Sequence, residues 1–217
     1  ILERSVASGH SPMVFTNLSD SPGHKAAVNV LTRKRLCEHF GLSAGDLIDI
    51  LAWAMENPAE PILVPKEDAE VMENSMEVVD LATLPIPWHY KEDGGRYQSA
   101  SIIIAEYGGQ RNTSYHRQHL KDGRHTVARL VPRHLRTMVE GAEGQGDEIP
   151  IAVVNGADPV VLLAGAMSFD EPLDELGVAA ALHERIYGSP LRLGELSNGI
   201  VAPANAEYAM EASITME

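Results

Sequence analysis

Apolar residues follow two different rhythms along this chain. In the first third they recur at helical spacing. His24 to Phe40 places Ala27, Val28, Leu31 and Leu36 on one side, with Gly41 positioned to end a helix. Cys37 lies beside that stripe and reads as core rather than as a nucleophile. Ser43 opens a second helix, because Asp46 stands three residues after a hydroxyl N-cap and Leu47, Ile48, Leu51, Ala52 and Met55 follow. Asn57 and Pro58 close it. Before these helices, Met13 to Leu18 predicts a short buried strand. After them, Pro61 to Pro65 predicts a short strand or extended link, and Lys66 to Thr83 an acidic connector with room for an edge strand.

The rhythm changes after Leu84–Tyr97, LPIPWHYKEDGGRY. Pro85 and Pro87 force extended backbone around Trp88, and Asp93-Gly94-Gly95 is turn chemistry. Beyond it, Ala100–Glu106, Asn112–His119, Thr126–Val131 and Ile151–Val154 predict strands separated by glycine-rich turns. Pro132–Gly141, Pro159–Met167 and Pro172–His183 predict helices, the last two each with proline where a first turn tolerates it. Ala206–Glu217 predicts a final strand. The pattern is an α/β N-terminal part followed by a β-rich part carrying several helices.

Composition narrows the class. The chain has 217 residues, enough for one large domain or two small ones. With 44% hydrophobic and 22% charged residues it has the balance of a soluble globular protein. No apolar run approaches the roughly 20 residues of a membrane span, and the first residues lack a secretory signal. The missing initiator Met leaves room for a start upstream. The lone Cys37 excludes an intramolecular disulfide and fits a cytoplasmic location.

Charge is distributed unevenly. The formal net charge is −14, which opposes general binding to nucleic acid or anionic membranes. Yet Arg111–Arg136 holds seven of the 17 Lys and Arg, four histidines and a single acid, Asp122. Such a segment either holds a specific anion or forms a solvated basic face, and charge alone leaves both open. Its only aromatic, Tyr115, is too few for a single-strand nucleic-acid platform.

Common catalytic signatures are missing. There is no P-loop, HExxH, paired CxxC or GxSxG, and Val154–Pro159 (VNGADP) lacks the GxGxxG of a dinucleotide site. Asn112, His134 and Glu175 offer a carbonyl, an imidazole and a carboxylate, a set suited to Mn²⁺ or Mg²⁺, although each is also an ordinary cap or surface residue. Arg117 offers a planar fork for a carboxylate or phosphate; the alternative is a surface ion pair.

Taken together and in order, LPIPWHYKEDGGRY, NTSYHR, LVPRH, NGADP, DELGVAAAL and VAPANAE resemble the landmarks of the UbiD family of decarboxylases, from about Pro85 onward. The opening ILERSVASGHSPMVFTNL also resembles that family's first domain, without its initial strands and helix. The resemblance implies an α+β protein. An N-terminal α/β domain, 1–84 and truncated at its start, would precede an FMN-binding split β-barrel of the flavin-reductase kind, 85–217 and incomplete at its end. The family's C-terminal domain would be absent.

It further implies reversible, non-oxidative decarboxylation of an aromatic or α,β-unsaturated acid with prenylated FMN, supplied by a partner flavin prenyltransferase. Carried over residue by residue, Asn112, His134 and Glu175 would hold Mn²⁺. Thr113, Ser114, Tyr115, His116 and Arg133 would join them and Arg117 around the cofactor, with Arg117 facing the substrate carboxylate. K⁺ would sit near the backbone of Ala164, Gly165 and Met167. A homo-oligomer is implied for the full-length enzyme. The family's proton-donating Glu loop would lie beyond Glu217, making this chain either a fragment or a shortened protein. A non-catalytic module for flavin phosphate and metal is the alternative.

Overall fold

The computed structural model describes residues 1–19, 21–169 and 171–216. The chain opens with α1 (Leu2–Ala7) and a small antiparallel hairpin, β1 (Met13–Phe15) with β2 (Ala26–Val28). Then come α2 (Arg33–Phe40), α3 (Ala44–Glu56) and the short β3 (Ile62–Leu63).

The helix expected from His24 therefore starts nine residues later, at Arg33. Residues 26–28 instead alternate between half-buried and exposed, as a strand does. Asn29 then sits at φ 60, a left-handed conformation that no helix continues through, and its side-chain amide donates to Ser5 Oγ and the Ser11 carbonyl. Thr32 caps α2, and Gly41 at φ 67 ends it.

The capping box of α3 forms as the sequence predicts. Asp46 N donates to Ser43 Oγ and Ser43 N to Asp46 Oδ2, both at 3.1 Å. Hydrogen bonds from the Ser43 side chain and from the Ser43 N–H hold the Asp46 carboxyl below its ordinary range. A depressed folded-state value means that the stabilisation is present above the unfolded carboxylate range and is lost as pH falls through the folded one. Ser43→Ala is expected to lower the urea midpoint at pH 7, and by less toward pH 3. Urea midpoints at the two pH values check this.

Residues 66–83 form three short 3₁₀ turns, with no edge strand among the described residues. The second part of the chain follows: β4 (Tyr97–Gln98), β5 (Ile102–Tyr107), β6 (Gln110–Tyr115), β7 (Gln118–Leu120), β8 (Thr126–Ala128), α4 (His134–Glu143), β9 (Ile149–Asn155), α5 (Pro159–Gly165), α6 (Glu175–Tyr187), β10 (Arg192–Glu195), β11 (Val201–Pro203) and β12 (Tyr208–Ile214). Among the described residues, three sheets result besides the first hairpin, ordered β12-β9-β5-β6, β4-β7-β8 and β11-β10-β3. All pairings are antiparallel except β10 with β3. β3 thus belongs to a sheet whose other strands lie some 130 residues later.

The four-stranded sheet is covered on both faces. Ile102 and Ile104 pack with Val160, Val161, Leu176 and Leu182 of α5 and α6. Ile103 and Ala105 pack with Leu135, Met138 and Val139 of α4. A strand buried on both faces reads as a continuous apolar run, as Ile102-Ile103-Ile104 does. Each such side chain contributes roughly 1.5–3 kcal/mol by leaving water. Gly108 and Gly109, at φ 60 and 76, make the two-residue turn joining β5 to β6.

The strand expected over Asn112–His119 is divided. Residues through Tyr115 belong to the four-stranded sheet and those from Gln118 to β4-β7-β8, so His116 and Arg117 occupy the corner where the chain changes sheets. Two helices also start later than expected. Arg133 takes the N-cap position of α4, which runs from His134, and Asp174 caps α6, which runs from Glu175 rather than Pro172. Asp174 Oδ1 accepts the Leu176 N–H at 3.0 Å, stopping the helix from extending upstream. Among the described residues, no helix is long and apolar enough to cross a membrane.

Candidate functional site

The site forms along the outer edge of β6. Ala105 pairs with Asn112 and Ile103 with Ser114, so Asn112 and Ser114 share the face covered by α4. Arg111, Thr113 and Tyr115 take the opposite face, toward α5 and α6. Gly165 brings α5 close there: a Cβ at that position would lie 3.4 Å from Ile102 Cγ2 and 3.5 Å from Thr113 Cγ2.

Glu175, the first residue of α6, reaches the strand edge. Its Oε2 accepts the Thr113 N–H at 2.7 Å, and its Oε1 accepts Asn112 Nδ2 at 2.9 Å. Asn112 Oδ1 in turn accepts from Ser114 Oγ at 2.7 Å, and Ser114 Oγ lies 3.0 Å from His116 Nε2. Asn112, Thr113 and Glu175 are each at most 4% exposed.

Burial raises the Glu175 carboxyl to about 7, against the Thr113 and Asn112 hydrogen bonds, which favour the carboxylate. Desolvation likewise lowers the His116 imidazole from its ordinary range. Burial raises the Tyr115 phenol, although that residue stands at the strand end and is 36% exposed.

The structure thus joins Asn112, Thr113, Ser114, His116 and Glu175 in one hydrogen-bonded group. His134, half-buried, starts the helix covering the face that Asn112 and Ser114 share, but among the described residues no hydrogen bond connects it to that group. Arg133 is exposed and donates to Ser168 Oγ. Arg117 also stands apart, exposed at the corner, with its guanidinium carbon 4.5 Å from the Tyr97 ring centroid. His119 stacks on that same ring at 4.7 Å and 21°.

The basic segment is less free than its composition suggests. Arg111 pairs with Glu106 and Asp174, and Arg136 with Glu140. Among the described residues, no ion pair is formed by Arg117, Lys121, Arg124, Arg129 or Arg133. Sequence reasoning did not identify Tyr97 as the support for Arg117, nor the Arg111–Asp174 pair. The first could have been found from strand register, since Tyr97 pairs with His119 across β4 and β7. The second had no signal in residues 63 positions apart.

The donor types of the expected trio, a carbonyl, an imidazole and a carboxylate, are ones that a hard divalent cation takes. Among the described residues, no three His, Cys, Asp or Glu side chains converge. The expected trio, however, contains only two such residues, His134 and Glu175, with the Asn112 carbonyl as the third ligand. A nearly fully buried carboxylate whose two hydrogen bonds come from neutral N–H groups lacks a counter-charge, which a metal ion would supply. Thr113 Oγ1 is buried with no partner among the described residues.

Residues 62–217 match the UbiD family, described as the 3-octaprenyl-4-hydroxybenzoate carboxy-lyase Rift-related domain. The chain is 35% identical over 206 residues to an anhydromevalonate phosphate decarboxylase of Methanosarcina mazei, covering 94% of this chain and 46% of that protein. It is 30% identical over 225 residues to a pyrrole-2-carboxylic acid decarboxylase of Pseudomonas aeruginosa, covering 94% and 44%. Its structure matches the UbiD-class enzyme HmfF of Pelotomaculum thermopropionicum, solved with FMN, at a TM-score of 0.90 and 30% identity, over 99% of this chain and 48% of that one. An evolved dimeric form of HmfF, solved with prenylated FMN, matches at a TM-score of 0.90 and 29% identity, over 98% and 50%. The chain spans about half the length of the curated relatives it matches. This α+β chain, which resembles the N-terminal half of those enzymes, belongs to the UbiD family of decarboxylases.

Proposed function

We propose that this chain forms the cofactor- and metal-binding part of a UbiD-type decarboxylase that removes CO₂, reversibly and without oxidation, from an aromatic or α,β-unsaturated acid. The observation that carries the reading is the buried Glu175 carboxylate fixed to Asn112 and to the Thr113 N–H at the edge of β6. The proposed organisation is an N-terminal α/β domain over 1–84 and a split β-barrel over 85–217, drawn from the sheets β12-β9-β5-β6 and β4-β7-β8.

Asn112, His134 and Glu175 would hold Mn²⁺, with Thr113, Ser114, Tyr115, His116 and Arg133 alongside the cofactor phosphate. K⁺ would sit by the C-terminal end of α5, at Ala164, Gly165 and Met167. Prenylated FMN supplies the electron sink that no polypeptide side chain offers when CO₂ departs. Arg117 binds the substrate carboxylate through its guanidinium fork and holds it in reacting position. The neutral imidazole of His116 hydrogen-bonds Ser114 and so fixes Asn112 through it.

A phosphorylated unsaturated acid is the substrate we favour. Similar proteins at 31–35% identity are named anhydromevalonate phosphate decarboxylases. Lys121, Arg124 and Arg129, without ion pairs among the described residues, would suit its phosphate.

The test is cofactor and metal content after co-expression with a flavin prenyltransferase. A visible flavin spectrum with near-stoichiometric Mn²⁺ is expected. A folded but colourless, metal-free protein would refute the binding reading. Retained cofactor without turnover, even with the C-terminal half of a related enzyme supplied, would instead point to a non-catalytic module.

A further inference from the structure

Two consecutive residues of β6 engage two consecutive residues at the start of α6. Arg111 Nη1 donates to Asp174 Oδ2 at 3.0 Å, and Asn112 Nδ2 donates to Glu175 Oε1 at 2.9 Å. Neighbouring strand residues point to opposite faces, so the two contacts grip the strand edge from both sides. The Thr113 N–H between them goes to Glu175 Oε2 at 2.7 Å.

Arg111 is itself fixed. Its Nε donates to Glu106 Oε1 at 2.6 Å, and Glu106 is its directly opposite partner on β5. A guanidinium held by two carboxylates has one orientation; a lysine ammonium is a single point charge and would not hold both in the same way. Asp174 is equally constrained, since its other oxygen caps α6 at Leu176 N. Glu106, Arg111, Asp174 and the helix start therefore form one chain of contacts that ends one residue before Glu175. Arg111 makes no ion pair with Glu175 itself, so its action on that carboxylate is geometric.

We infer that Arg111 is a positioning residue. It locks the start of α6 in register with β6, so that Glu175 and Asn112 present their oxygens together. The inference rests on the metal-site reading only for its metal readout; the register it assigns to Arg111 is measurable without metal.

The experiment follows Arg111→Met, with Arg111→Lys and Asp174→Asn as milder variants. Asn still caps a helix, but without the charge for Arg111. In metal-free protein, hydrogen exchange of the Thr113 amide is measured by NMR beside amides in the middle of α6. In prenylated-FMN holoenzyme, Mn²⁺ affinity is measured by titration. We expect Thr113 exchange to accelerate about tenfold or more while the helix-centre amides are unchanged, and Mn²⁺ affinity to fall about 10–100-fold, with Arg111→Lys intermediate.

Unchanged Thr113 exchange in folded Arg111→Met overturns the inference, whatever the metal does. Should that variant fail to fold, unchanged exchange in both Arg111→Lys and Asp174→Asn overturns it equally. Faster Thr113 exchange in a protein whose unaltered form binds no Mn²⁺ upholds Arg111 as the register lock and removes the metal-site reading.

Discussion

Glu175→Gln is expected to release Mn²⁺ and flavin from the protein and, without metal, to make the chain more stable at pH 8. The two effects share one cause. Glu175 is 3% exposed, its hydrogen bonds come from the Asn112 amide and the Thr113 N–H, and burial raises its carboxyl from an ordinary 4.5 to about 7. A carboxyl raised on folding binds a proton more tightly in the native state than in the unfolded one. Its contribution to stability is fully present below the unfolded value and is lost as pH rises from about 4.5 to about 7.

At about 1.4 kcal/mol per pH unit, the carboxylate weakens the metal-free chain at pH 8 by roughly 3 kcal/mol. Glutamine removes that charge and keeps one oxygen for Thr113, but its amide meets the Asn112 amide less well, which takes back about 1–2 kcal/mol. The net gain is about 1–2 kcal/mol at pH 8, changing to a small loss at pH 4. With Mn²⁺ the order should reverse, because the proposal makes this carboxylate a metal ligand. Losing such a ligand costs 10–100-fold or more in affinity. Urea midpoints of both proteins at pH 4 and 8, with and without Mn²⁺, give the comparison. If the metal-free difference has the same sign and size at both pH values, Glu175 is not the buried charge described.

Arg117→Ala should lower decarboxylation in the holoenzyme by about 10³-fold or more while leaving bound flavin nearly unchanged. A correctly held carboxylate accounts for several kcal/mol of a decarboxylation barrier through orientation alone. Arg117 is suited to that task because its guanidinium is exposed at the corner between two sheets and rests on Tyr97 rather than in an ion pair. Cofactor retention should survive because no hydrogen bond links Arg117 to the Glu175 group among the described residues. Arg117→Lys keeps the charge without the fork and should fall between. Single-turnover rates set against flavin absorbance decide it. A rate within tenfold of the unaltered enzyme, or flavin lost in step with rate, would remove Arg117 from its proposed role.

Local chemistry in the sequence revealed much of this fold. The Ser43–Asp46 capping box, Gly41 as a helix stop and the Gly108-Gly109 hairpin each act through neighbours within a few residues, and each forms as the residues predict. The run Ile102–Ile104 marked a strand because few other environments bury three consecutive isoleucines.

What escaped was set at long range. Residues 26–28 carry apolar side chains that fit either period, and pairing with β1 decided for strand. β10 and β11 were invisible because Arg192–Glu195 is charged at both ends and exists as a strand only through β3 and β11. The corner at His116–Arg117 had no breaker residue to mark it, since a change of sheet needs no glycine or proline.

The candidate site divides in the same way. Its residue types pointed to metal chemistry, and the family resemblance named the set. Only the structure shows that Glu175 caps a strand edge and that Arg111, counted in the sequence as a cation for an external anion, is held by two internal carboxylates.

The contacts of Glu175 with Asn112 and Thr113 span 63 and 62 residues of chain, and α4, β9 and α5 all lie between. Closing such a loop costs chain entropy before any contact offsets it, so this site is expected to form late in folding. An unfolded or half-made chain has nothing that can hold the ion with native strength. Metal would therefore act as a proofreader of topology, retained by chains that have finished folding and absent from those that have not. A ligand bound after the folding barrier should slow unfolding while leaving the refolding rate unchanged.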